Sequence, residues 1–256
     1  MIKDRLGEET VNKQGCLMKI IKYNNYDDII IEFQDDYKAK IKTQYGHFLS
    51  GEIKNPYYKS VFGIGMIGNK YPRSVNNKIT KEYNTWNGML RRCFDARHKE
   101  IHPTYKDAIC CEEWLLYENF YEWLHKQENF DKWILLNKSA IDKDILIKGN
   151  KIYSPDTCCL VPLVVNNLFI KSDASRGDLP IGVSKKKDGF LSRCCNPITN
   201  ERVCLGTYST SNKAFLAYKP YKENLIKQVA QIEYGKGNIT KDCYDAMMKY
   251  EVEITD

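Results

Sequence analysis

Gly182-Val-Ser-Lys-Lys-Lys-Asp-Gly-Phe-Leu-Ser-Arg-Cys-Cys195, an Asn196-Pro197 turn, Arg202-Val-Cys-Leu-Gly-Thr-Tyr-Ser-Thr210 and Ala214-Phe-Leu-Ala-Tyr218 decide how this chain is read. The pattern predicts three short strands feeding one amphipathic helix that carries Ala214, Phe215, Ala217 and Tyr218. Between Ile181 and Lys227 stand nine basic residues (Lys185, Lys186, Lys187, Arg193, Arg202, Lys213, Lys219, Lys222, Lys227) and three acids (Asp188, Glu201, Glu223). This local excess of +6 equals that of the whole chain, so the remaining residues sum to zero. A basic three-stranded sheet backed by a helix is one way to read a DNA groove.

Working outward, 256 residues allow one large domain or two to three small ones, and 43% hydrophobic residues suffice for real cores. The first ten residues have no apolar run after their basic start, so no signal peptide is expected. No stretch approaches the length of apolar chain that a transmembrane helix needs. Six of the ten cysteines stand as immediate neighbours (Cys110-Cys111, Cys158-Cys159, Cys194-Cys195), and neighbours on a strand point to opposite faces. With no Cys-x-x-Cys spacing, reduced and mostly buried thiols in a cytoplasm are expected, not a disulfide framework or a zinc knuckle.

The expected fold class is α+β multidomain. Residues 1–70 read as a small five-stranded β-barrel: Met18-Lys-Ile-Ile-Lys-Tyr23 and Asp28-Ile-Ile-Ile-Glu-Phe33 are strand patterns, and the glycines of Val61–Gly68 mark a sharply bent barrel strand. Residues 71–81 read as a polar linker. Helical spacing begins at 82, with Tyr83, Trp86, Met89, Leu90 and Cys93 on one face and a second run through Phe120, Trp123 and Leu124. A hairpin and short helix follow over 133–169, closing a module at 82–170. Lys171–Asp178 reads as a solvated linker into the basic module at 179–232. Residues 233–256 read as an acidic tail with a loosely packed helix from Tyr244 to Tyr250; the net charge over 228–256 is −3.

Gly182-Val-Ser-Lys185, Phe190-Leu-Ser-Arg193, Leu205-Gly-Thr-Tyr208 and Ala214-Phe-Leu-Ala-Tyr-Lys219 resemble the apetala-type (ethylene-response-factor-like) DNA-binding domain of plant transcription factors and phage homing endonucleases. The resemblance implies that the sheet enters the major groove of double-stranded DNA, with Lys185, Lys186, Lys187, Arg193 and Arg202 as contacts. Trp86-Asn-Gly-Met-Leu-Arg-Arg-Cys93, Cys111-Glu-Glu-Trp114 and Ile141-Asp-Lys-Asp-Ile-Leu-Ile-Lys-Gly-Asn-Lys-Ile-Tyr-Ser-Pro-Asp-Thr-Cys158 resemble the HNH (ββα-metal) nuclease module that accompanies this domain in phages. The first 70 residues look like the small β domain at the front of the same phage proteins. That domain would hold either adjacent DNA or a partner protein, and no membrane partner is expected. The setting so implied is the cytoplasm of a phage's host cell.

The HNH resemblance implies metal-dependent cleavage or nicking of DNA, with Mg²⁺ or another divalent metal against the scissile phosphate and a general base, usually His, activating water. Asp142 falls in the first metal-ligand slot, and Asn166 or Asn167 near the last. Asn150 lies in the turn that orients the hairpin. Asp144 reads as an assisting carboxylate, a second ligand or base, or else as a solvated hairpin-end carboxylate. Two positions depart from the family: Lys143 stands at the base position, and Thr157 where an Asn is expected. A lysine protonated at neutral pH cannot accept a proton, so the alternative is a catalytically inactive DNA-binding or regulatory protein. His98 and His102 have the spacing of a metal pair if helical, but Pro103 and the lack of a periodic frame place them in a loop.

Overall fold

The computed structural model describes residues 4–170 and 176–256. The fold is mixed α/β with several sheets, and it divides into two compact units, Met1–Glu122 and Trp123–Asp256. The first five residues of the expected linker at 171–178 lie outside the described residues.

The first unit opens with a four-stranded antiparallel meander: β1 (Glu9–Val11), β2 (Leu17–Asn25), β3 (Asp28–Phe33) and β4 (Lys40–Thr43), paired in that order. Alternation drives it: Met18 and Ile20 on β2 face Phe33 and Ile31 on β3, all four fully buried, while Lys19 and Glu32 pair on the other face. The short helix α1 (Tyr45–Ser50) lays Tyr45 and Phe48 on the same core and ends at Gly51 in the left-handed conformation, as a helix C-terminus favours.

The expected barrel does not close. Among the described residues no fifth strand pairs with β1 or β4, and Val61–Gly68 is a loop with two isolated bridges, Val61 to Gly65 and Met66 to Leu116. Gly65 and Gly68 serve close approach, not strand bending, while Gly63 borders open space in the left-handed conformation. A Cβ on Gly65 would press on Leu90 and Trp86, and one on Gly68 would overlap Glu118. Glu118, buried, accepts the backbone N–H groups of Asn69 and Lys70, each at 2.7 Å. The stretch read as a linker folds as a hairpin, β5 (Ser74–Val75) and β6 (Lys78–Ile79). Its turn residues Asn76 and Asn77 both take positive φ, the requirement of a tight two-residue hairpin turn.

Thr80 then caps α2 (Lys81–Phe94), accepting from the Tyr83 amide, and Trp86, Met89, Leu90 and Cys93 form its buried face as the spacing predicts. The segment from His98 begins as helix and not as loop: α3 (Ala96–Ile101) is capped by Asp95, which supplies the start signal that periodicity alone lacked. After β7 (Ile109–Cys110), α4 (Tyr117–His125) buries Tyr117 and Phe120, and the Trp86 indole N–H donates to the Trp114 carbonyl at 2.7 Å.

In the second unit, α5 (Phe130–Leu135) precedes β8 (Ser139–Asp142), which pairs antiparallel with β10 (Cys159–Pro162) across an intervening loop that holds β9 (Ile152–Tyr153). The one-turn α6 (Leu163–Asn166) and a 3₁₀ turn at Asn167–Phe169 follow. Then comes a three-stranded antiparallel sheet, β11 (Val183–Lys186), β12 (Gly189–Asn196) and β13 (Glu201–Tyr208). The helix behind it, α7 (Ser211–Gly235), is far longer than the pattern to Lys227 suggests. The last helix, α8 (Lys241–Met248), is not a loose appendage: Cys243, Met247 and Val252 are buried in the same core as Val161, Val183, Phe215 and Ile226. One core thus joins the hairpin, the sheet and the tail.

Gly182, at the start of β11, has φ 76° and lies flat against Tyr218, so that a Cβ there would overlap the ring. Gly182→Ala is expected to lower stability by roughly 2–3 kcal/mol through combined backbone strain and overpacking. Chemical denaturation measures it; an unchanged midpoint would mean that the sheet does not seat on α7 as described.

Candidate nucleic-acid interface

Cross-strand partners in a sheet share a face. The register pairs Val183 with Ser192 and Ser192 with Gly206; one residue on, it pairs Lys186 with Gly189, Arg193 with Cys204 and Cys195 with Arg202. Val183, Ser192 and Cys194 are buried, so their face lies on α7. The opposite face carries Lys186, Arg193 and Arg202, all exposed. None of these three side chains has an ion-pair partner among the described residues. A one-residue bulge on β13 at Leu205 keeps the cations in phase along the sheet.

Lys185 departs from the expected set. It pairs with Phe190, which packs on the core, and so lies on the helix side of the sheet, where it is exposed. Strand alternation forces this split, since Lys185 and Lys186 are consecutive. Lys187 sits in the exposed turn between β11 and β12.

The hairpin loop gathers Asp142, Lys143, Asp144 and Asn150 as expected, but each side chain is engaged with the loop itself. Asp142, 8% exposed at the end of β8, accepts the backbone N–H groups of Asp144 at 2.8 Å and Ile145 at 2.9 Å. The Lys143 ammonium donates to Asp144 Oδ2 at 3.2 Å and to the Asn150 carbonyl at 3.1 Å. The Asn150 amide donates to the carbonyls of Lys143 at 2.6 Å and Ile152 at 2.7 Å, which fastens the loop. Thr157 donates its hydroxyl to the Ile152 carbonyl at 2.7 Å, a tie at the position where the HNH pattern has Asn. Asn166 is half-buried, and Asn167 is exposed and lines a cleft beside the three-stranded sheet.

In this structure these donors are turned onto the loop itself. Mg²⁺ is usually held by one or two carboxylates together with waters and substrate phosphates, and Ca²⁺ by about six to eight oxygens from carboxylates, carbonyls and water. Here one oxygen of Asp142 is occupied by two amides, Asp144 is paired with a lysine, and the Asn150 amide is spent on carbonyls. Among the described residues no group of three or more His, Cys, Asp and Glu is placed to hold a metal. His98 and His102 do fall at helical spacing, with ring centroids 4.5 Å apart; His98 stacks with Tyr105 and His102 meets it edge-on.

Sequence reasoning counted Lys222 only as part of the charge. It lies in the apolar stripe of α7, four residues after Tyr218 and three before Leu225, and is 8% exposed. It lines a cleft of about 600 Å³ that also holds Arg193, Arg202, Asn167 and Asn196. Burial lowers its pKa, and the titratable groups facing it are the thiols of Cys194 and Cys195. A lysine at a stripe position was the available signal. Arg176 also borders the cleft and donates to the Asp256 carbonyl.

Compared with protein-family models, curated proteins and solved structures, the chain matches none. Among the described residues no helix is long and apolar enough to cross a membrane.

Burial first, and then the Asp144 carboxylate, push the Asp142 carboxyl up to about 7. A carboxyl whose folded pKa is raised binds its proton more tightly in the native state. Its contribution is therefore complete below the unfolded value near 4 and is lost as pH rises through about 7. The loss over that window is on the order of 4 kcal/mol. Asp142→Asn keeps the oxygen that accepts both amides and removes the titration. Its stability measured from pH 4 to 8 should be flatter than that of the wild type; an unaltered slope would remove Asp142 as the cause.

Proposed function

We propose that this chain is a duplex-DNA-binding protein whose three-stranded sheet docks by its outer face, with Lys186, Arg193 and Arg202 toward the nucleic acid. The observation that carries this reading is the register: one face is sealed by α7 and the other presents three cations without acidic partners among the described residues. A twisted sheet of this width fits a major groove, where Arg pairs bidentately with guanine and Lys holds phosphate. Lys185 and Lys187, at the end of β11 and in its turn, suit flanking phosphates.

In this reading the hairpin at 139–162 is a scaffold. Its polar side chains close a loop. Metal-dependent cleavage of the HNH type is the second reading; the shared neighbourhood of Asp142 and Asp144 favours it, and the lysine at the base position opposes it.

Fluorescence anisotropy with duplex DNA tests binding. Affinity should fall steeply with salt; Lys186→Ala should reduce the log–log salt slope by about one. Arg193→Ala and Arg202→Ala should each weaken binding by about 1–3 kcal/mol on the preferred sequence. Binding that ignores salt, or none at all, would leave a protein-interaction factor instead. Plasmid nicking with and without Mg²⁺ separates scaffold from nuclease. No nicking is expected; Mg²⁺-dependent nicking abolished by Asp142→Ala would replace the scaffold reading.

A further inference from the structure

The cleft at the edge of β12 shares Arg193 and Arg202 with the outer face of the sheet and adds Lys222 from α7. β11 pairs with β12 only as far as Ser192, with one further bond from the Arg193 amide to the Gly182 carbonyl at 2.9 Å. Beyond that point the edge of β12 borders the cleft, and both of its faces contribute: Arg193 from the outside, Cys194 from the inside. Lys222 enters from α7. Its side chain is more than nine-tenths buried with the ammonium opening on the cleft, and it has no hydrogen bond and no ion pair among the described residues. Buried ammonium groups are otherwise paired, because desolvating a charge without compensation is costly. Of the thiols that face it, Cys194 is held above the usual thiol range by burial. The acid on the cleft wall, Glu201, is exposed and makes no ion pair with Lys222.

We propose that this cleft binds a phosphate group, with Lys222 as the buried anchor, Arg193 and Arg202 as its outer clamps and the amides of Asn167 and Asn196 as donors. A monoanionic or dianionic oxyanion supplies the charge that Lys222 lacks. Guanidinium forks match its oxygens, and a cavity of about 600 Å³ has room for the sugar or alkyl group attached to it. Two sources share this chemistry: a phosphodiester of the nucleic-acid backbone, in which case the inference deepens the DNA-binding reading and rests on it, or a small phosphorylated molecule.

The test uses the full chain with Lys222→Met, which suits an apolar stripe, and Lys222→Arg, which keeps the charge. Thermal melting is followed with inorganic phosphate against chloride at matched ionic strength, and duplex binding by anisotropy. Phosphate should raise the melting temperature of the wild type and of Lys222→Arg but not of Lys222→Met. DNA affinity should fall about tenfold in Lys222→Met if the backbone is the source, the worth of one charge-assisted hydrogen bond. A lost phosphate response with unchanged DNA affinity assigns the cleft to a small phosphorylated molecule. A phosphate response in a protein that binds no DNA overturns the DNA reading and leaves the cleft standing. If Lys222→Met matches the wild type in both measurements, the phosphate site is overturned.

Discussion

The apolar stripe of α7 lies on one face of the three-stranded sheet, and that packing decides what the other groups of the second unit are free to do. Phe215, Leu225, Ile226 and Val229 are all buried, and burying each such side chain contributes roughly 1.5–3 kcal/mol. With that face sealed, strand alternation leaves the cations of β12 and β13 only the outer face. The same packing draws Lys222, a member of the stripe, out of water. The exposed cations and the buried one are therefore two consequences of a single contact.

The hairpin at 139–162 illustrates how residue types that suggest chemistry can serve structure. The excursion between Asp142 and Tyr153 has few partners for its backbone amides and carbonyls, and unmet polar groups are costly. Asp142, Asn150 and Thr157 meet that need at short range. Their engagement explains how the loop holds a defined shape beside a core that contains Ile145 and Cys159.

Much of the fold was legible from local signals. Met18, Ile20, Ile29, Ile31 and Phe33 alternate, and α2 repeats its apolar residues at three and four. The three strands and helix after Gly182 were equally plain. The barrel closure was not, because Gly65 and Gly68 look alike whether they bend a strand or admit a neighbouring side chain; Leu90 and Glu118, distant in sequence, decide between these. The hairpin at 74–79 is hard to tell from a polar linker in sequence, because its strands are only two residues long.

Of the candidate site, the sequence alone determined which segment carries the charge and that a sheet and a helix present it, since composition and periodicity are local properties. Only the tertiary structure decided which cations share a face, because a single register step reverses every side chain and separates Lys185 from Lys186. It also decided that the acidic tail joins the core and that Lys222 is buried opposite β12. Burial is a property of what packs across from a residue, and the residues that enclose Lys222 come from segments that no local pattern connects.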